Sequence, residues 1–204
     1  MRGWYLFGYT LSKLILRIFF RMRIIHSERL LEEGGVIYAS NHASYLDPPI
    51  IGTCCKKPIY YLAKKTLMKW PVLGPIFPSL NVVPVDQERA DMSAIKTIIK
   101  LVREGHRTII FPEGSRTEDG QLLPAQPGLG LVVSKTRAPV VPMRIFGSFE
   151  AFPRGASRVK LARITVVVGE PMVFTDADFA DGRDSYQKVS ERVMAAIAAL
   201  QLPG

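Results

Sequence analysis

The chain has 204 residues, enough for one domain with a substantial core, and 48% of them are hydrophobic. Its formal net charge of +9 admits nucleic acid, an anionic membrane or acidic substrates as partners. Zinc-finger spacing, RNP-like aromatic patterning and a lysine-rich arm are lacking, which sets nucleic acid aside; three histidines and two adjacent cysteines give no metal site.

Residues 4–20, WYLFGYTLSKLILRIFF, are mostly apolar. Lys13 and Arg17 interrupt the run and no small-residue cleavage site follows, which argues against a signal peptide. A spanning helix needs about 20 apolar residues with few charges, and this run is shorter. Lys13, Arg17 and Arg21 recur every fourth position and share one helix face, while Leu11, Leu14, Ile15, Ile18 and Phe19 fall on another. With Trp4, Tyr5 and Phe7 ahead, the pattern predicts a membrane-interface helix over 1–22, followed by a domain over 23–204. A helix that merely covers the core, and a true span, stay open as other uses of the same stretch.

A short strand is predicted over 21–26. After the Gly34-Gly35 turn comes a buried strand over 36–39. It leads into Asn41-His42-Ala43-Ser44-Tyr45-Leu46-Asp47. Asp47 before Pro48 reads as the N-cap of a helix running to Cys55. Cys54 and Cys55 are neighbours without another partner, so they are expected as reduced core thiols of an intracellular protein. Strands follow over 59–63 and 81–86. The spacing of Met92, Ile95, Ile98, Ile99 and Val102 then predicts a helix over 91–103. Another strand, 108–110, enters Phe111-Pro112-Glu113-Gly114-Ser115-Arg116, and a hairpin-like turn covers 117–120. Beyond lie a helix over 128–135, strands over 140–145 and 159–168, and a closing amphipathic helix over 184–200. Strands alternating with helices define an α/β fold with a mixed sheet.

Two polar loops, each leaving a buried strand, can meet at one sheet edge, where α/β folds place chemistry. A histidine oriented by a carboxylate, as His42 and Asp47 could be, is the minimal base for activating a hydroxyl. His26 reads as a surface residue and His106 as structural.

These residues resemble the glycerolipid acyltransferase family, the lysophosphatidic acid acyltransferases that use acyl-CoA or acyl-carrier protein. Its N-H-x-S-x-x-D motif is met by Asn41, His42, Ser44 and Asp47, and its F-P-E-G-[ST]-R motif by residues 111–116. Its V-P-x-x-I strand is met by Val141, Pro142 and Ile145. The resemblance implies a central mixed sheet flanked by helices, with an N-terminal membrane-docking helix. It also implies transfer of an acyl group from a thioester to a lysolipid hydroxyl, most simply 1-acylglycerol-3-phosphate, with no cofactor and no metal. His42 would take the hydroxyl proton and Asp47 would hold the imidazole. Lys64 and loop amides would stabilise the developing charge. Glu113 would hydrogen-bond glycerol oxygens and Arg116 would bind the acceptor phosphate, with Gly114 and Ser115 completing the substrate-binding motif. Ser44 is expected to brace the loop, since no G-x-S-x-G elbow surrounds it. The expected location is the cytoplasmic face of a membrane, monotopic or peripheral.

The chain departs from the family pattern in two places. Gln87 and Gln126 stand where Arg and Lys are usual. A phosphate monoester prefers several cationic donors, and Gln cannot supply a guanidinium fork. Arg89 or Lys65 could compensate. Acyl transfer to another lysolipid, such as a lyso-amino-lipid or a lysophosphodiester, is therefore a rival reading. A non-catalytic lipid-binding protein at the membrane surface is a second.

Overall fold

The run Val36–Ser40 is buried at every position, and that sets the architecture: a strand without a wet face needs cover on both sides. The computed structural model describes residues 3–69, 71, 74, 77–85 and 92–203. In chain order the elements are α1 (Gly3–Phe19), β1 (Arg23–Ile25), β2 (Val36–Ser40), α2 (Asp47–Cys54), β3 (Ile59–Lys64) and β4 (Val82–Val85). Then follow α3 (Met92–Arg103), β5 (Arg107–Ile110), α4 (Gly128–Thr136), β6 (Val140–Phe146), α5 (Ser148–Ala151), β7 (Thr165–Val168) and α6 (Asp184–Ala199).

Among the described residues, seven strands form a sheet in the order β1-β7-β6-β2-β5-β3-β4. Neighbours are parallel except β6 and β7, which run antiparallel, so the sheet is mixed as expected. Side chains of β2 alternate between two cores. Val36 and Tyr38 pack with α1 and α2 on one face, and Ile37 and Ala39 pack with α3, α4 and α6 on the other.

The connections explain the position of the site. From β2 the chain passes over β5 through α2 to reach β3; from β5 it passes over β2 through α4 to reach β6. The crossovers run in opposite directions on opposite faces, as right-handed connections require. The loops leaving β2 and β5 therefore diverge from adjacent strand ends, with Ala39 opposite Ile110, and open a crevice there.

Two expectations change. The strand anticipated over 159–168 is regular only over Thr165–Val168. Those four residues pair with β6, whose chain turns away after Phe146. Residues 158–164 instead form an irregular strap, fixed by backbone bonds from Lys160 N to Ala151 O and from Ile164 N to Phe20 O. The segment 117–120 is not a hairpin: Gly120 N–H donates to the Thr117 hydroxyl and closes a local turn.

The first helix is continuous with the domain. Tyr5, Leu16 and Phe20 are buried, and Leu16 and Phe20 belong to the core around Val36, Tyr38 and Ile50. Tyr5 Oη accepts the Ile59 N–H at 3.1 Å. Gly52 of α2 lies so close to the Tyr61 side chain of β3 that a Cβ would fall 1.7 Å from its Oη, so a larger residue would have to displace the tyrosine. Meanwhile Trp4, Phe7, Leu11, Leu14, Ile15, Ile18 and Phe19 of α1 face outward. None of the helices among the described residues is long and apolar enough to cross a membrane. Cys54 and Cys55 are free and buried, and burial pushes the Cys55 thiol up to about 12. His26 is exposed in a left-handed turn, and His106 packs against the Tyr60 ring at 4.6 Å.

Leu16 is 4% exposed and Leu14 54%, so their truncations separate packing from surface character. Leu16→Ala should lose about 2–5 kcal/mol of stability, while Leu14→Ala should stay within about 0.5 kcal/mol. Thermal unfolding in detergent measures both; equal effects would mean that α1 does not pack on the domain.

Candidate active site

The His42 loop is held from four directions. Asn41 continues the β2–β6 ladder with its side chain: Oδ1 accepts Ile145 N–H at 2.8 Å and Nδ2 donates to Ile145 O at 3.1 Å. His42 N–H donates to Glu113 Oε1 at 2.7 Å, and His42 O accepts Thr117 N–H at 3.0 Å. The Ser44 hydroxyl donates to Phe152 O at 2.7 Å and accepts Leu46 N–H, so it braces the loop.

Asp47 is buried at the start of α2, with Leu46 as N-cap and the following prolines setting the first turn. Its carboxylate does not cap its own helix, as the sequence suggested. Oδ2 turns back and accepts three hydrogens: from Ala43 N–H and Ser44 N–H at 2.7 Å each, and from His42 Nδ1 at 2.9 Å. An ionised carboxylate only accepts, so Nδ1 carries the hydrogen and Nε2 keeps its lone pair. The Phe111 ring stacks on the imidazole, with centroids 3.9 Å apart and planes 12° apart. The His42 side chain is 18% exposed, close enough to solvent to meet a ligand. The other Asp47 oxygen, Oδ1, finds no hydrogen-bond partner among the described residues.

Glu113 points inward. It is 4% exposed, with Oε1 on His42 N–H and Oε2 on Leu123 N–H. Burial pushes its carboxyl above the usual range, against the pull of those amides. It ties the β5 loop to the β2 loop. Gly114 (φ +72°) makes the turn a side chain would strain, and Ser115 is exposed beside it. A Cβ at Gly114 would also meet Gln126 Cγ at 3.2 Å, so Gln126 stands at this turn.

Arg116 does not pair with Glu118, which bonds Arg154. Its guanidinium carbon lies 3.6 Å from the centroid of the Tyr45 ring, and Nη1 is buried without a partner among the described residues. Tyr45, an unmarked position in the motif, is the site residue that sequence reasoning missed. An aromatic ring one turn from a histidine is the signal that could have found it. Lys64 ends β3, but its side chain, like Gln87 and Arg89, lies outside the described residues. The amides of residues 42–44 are all engaged, which removes them from the set that could stabilise an oxyanion.

Two cavities adjoin the loop. An apolar one of about 590 Å³ is walled by Tyr5, Gly8, Tyr9 and Ser12 of α1, by Pro48, Pro49 and Gly52 around α2, and by Tyr45 and Leu46. A polar one of about 680 Å³ is bordered by Asn41, Ala43, Arg144 and Ser148. No group of three or more His, Cys, Asp or Glu able to hold a metal occurs among the described residues.

A profile of the family described as Acyltransferase matches residues 21–146. The 1-acyl-sn-glycerol-3-phosphate acyltransferase of Bacillus subtilis (strain 168) is 30% identical over 177 residues, 86% of this chain and 85% of that one. The enzyme of the same name from Limnanthes douglasii is 30% identical over 188 residues, 90% of this chain and 66% of that one. The solved 1-acyl-sn-glycerophosphate acyltransferase of Thermotoga maritima shares the fold, with a TM-score of 0.69 and 24% identity over 100% of this chain and 86% of that one. The chain belongs to the acyltransferase family. It is an O-acyltransferase.

Because one oxygen holds three donors, Asp47→Asn must either turn an NH2 toward them or bury it at the Oδ1 position. The variant should lose about 1–3 kcal/mol of stability and about 10²–10⁴-fold in acyl-transfer rate. Unfolding and turnover are measured on the same preparation. Full activity at unchanged stability would show that the carboxylate neither orients His42 nor organises the loop.

Proposed function

We propose that the enzyme acylates the free hydroxyl of 1-acylglycerol-3-phosphate, giving phosphatidic acid in phospholipid biosynthesis. The donor is a thioester, acyl-CoA or acyl-carrier protein. The observation that carries this reading is the His42–Asp47 pair at 2.9 Å, in a loop whose Tyr45 both lines the apolar cavity and stacks on Arg116. The relatives' names support the acceptor.

In this mechanism the acceptor oxygen attacks the thioester carbonyl while His42 Nε2 takes the hydroxyl proton. The tetrahedral intermediate then collapses, the carbon–sulfur bond breaks, and the imidazolium protonates the departing thiolate. Asp47 stays ionised and stabilises the imidazolium. The thioester is already activated, so no acyl-enzyme is required. With the 42–44 amides spent, Lys64 is the candidate from the motif set to stabilise the oxyanion. The apolar cavity falls within the usual range of about 300–1,000 Å³ for ligand pockets and would take an acyl chain. Tyr45 would fix Arg116 over the mouth of that cavity, with the guanidinium toward the acceptor phosphate. Attachment is peripheral or monotopic at the cytoplasmic face of a membrane, through the outward apolar residues of α1.

Acylation of a lysophosphodiester is the second reading, and the neutral Gln126 beside Gly114 favours it. Hydrogen bonds to charged groups contribute about 1.5–3 kcal/mol each, so a missing cation matters most for a dianionic monoester.

His42→Ala should abolish thioester-dependent acylation without unfolding the chain; product mass spectrometry with a lysolipid panel tests this and separates an enzyme from an idle lipid binder. Gln87→Arg combined with Gln126→Lys should raise kcat/KM for lysophosphatidic acid relative to a lysophosphodiester, and Arg116→Ala should impair both acceptors. A wild-type enzyme already strongly selective for lysophosphatidic acid, with that selectivity lost in Arg89→Ala, would make Arg89 the substitute cation and rule out the broader acceptor range.

A further inference from the structure

Beyond the first helix, we propose that residues 158–163 of the strap form a second lipid-contact surface, built for an anionic membrane. The proposal rests on the membrane reading of α1 and adds to it a separate element with its own residues.

The strap begins as an anomaly. Its sequence, Arg-Val-Lys-Leu-Ala-Arg, alternates as a strand would, yet none of it joins the sheet. It leaves Val159 51% and Leu161 73% exposed, with Arg158, Lys160 and Arg163 exposed between and around them. No acidic residue occurs from 151 to 164. Arg154, upstream, is paired with Glu118 and is not part of the surface.

Its location supplies the second observation. Ile164 N–H donates to Phe20 O, and Arg23 N–H donates to Ile164 O, each at 3.0 Å. The strap is thus tied to the end of α1. Among the described residues, eight of the fourteen exposed large apolar side chains lie on α1 and two on the strap. Exposed apolar side chains gathered this way mark an interaction surface.

The chemistry of the surface selects the partner. Cations alternating with apolar side chains suit a bilayer whose anionic headgroups meet the charges while Val159 and Leu161 enter the interface. An acidic protein would satisfy the cations alone. Arg158, Lys160 and Leu161 also border the polar cavity beside Asn41 and Ala43, so docking the strap brings that edge of the site to the lipid surface.

Vesicle co-sedimentation of the full chain tests the assignment, with phosphatidylcholine vesicles and with phosphatidylcholine mixed with phosphatidylglycerol. The triple variant Arg158→Ala, Lys160→Ala, Arg163→Ala should lose about a hundredfold on the anionic vesicles, about fivefold per cation, and nothing on neutral ones. Val159→Ser with Leu161→Ser should lose about tenfold on both. Both should keep wild-type unfolding temperatures, because the altered side chains are exposed. Phe7→Ser with Ile18→Ser reports on α1 separately. Strap variants that bind like wild type while the α1 variant is released would overturn the strap alone. Wild-type protein that ignores both vesicle types would overturn the strap and the membrane reading of α1 together. Unchanged vesicle binding with lost activity toward carrier-bound donor alone would also overturn the proposal, assigning the cations to an acidic carrier.

Discussion

One oxygen atom organises the site. Asp47 Oδ2 takes hydrogens from two backbone amides and an imidazole, all from the five residues ahead of it. Buried amides need partners, and a charged acceptor serves them better than a neutral one. The same contact that closes the loop fixes the imidazole tautomer, so folding the loop and orienting His42 are one event. Glu113 repeats the device between loops, with one oxygen on each strand's excursion. Two buried carboxylates therefore do the work a longer hydrogen-bonded ladder does elsewhere in the sheet.

The crevice follows from topology rather than from the loops themselves. The β2 and β5 crossovers pass on opposite faces of the sheet. Each loop starts on a rigid parallel strand and ends on a buried helix, α2 or α4. Such anchoring holds His42 and Arg116 to a defined separation without a direct bond between them.

Much of this was legible in the chain. The buried strands and amphipathic helices announced themselves through β-branched runs and 3.6-residue spacing, and the two polar motifs were readable as strand-end loops. What stayed hidden depended on contacts far apart in sequence. Asp47 read both as a helix cap and as the partner of His42, and local spacing cannot say that the same oxygen also takes the Ala43 and Ser44 amides. Glu113 was expected to meet the acceptor, and its motif could not show that its oxygens accept the His42 and Leu123 amides, one of them 71 positions away. Tyr45 carried no motif letter, and its role depends on a guanidinium 71 residues later. The strand over 159–168 was shortened because alternation predicts a strand but not whether a neighbour is there to pair with it.

The double use of α1 constrains how this chain can be altered. Gly8, Tyr9 and Ser12 wall the apolar cavity, while Leu16 and Phe20 fill the core. A helix that is also masonry cannot be traded as a module: replacing it with any other hydrophobic helix would redraw the cavity and loosen the sheet. Variation in this part of the molecule is thereby confined to the outward residues, such as Trp4, Phe7 and Ile18, which can drift with the composition of their surroundings without touching the wall behind them.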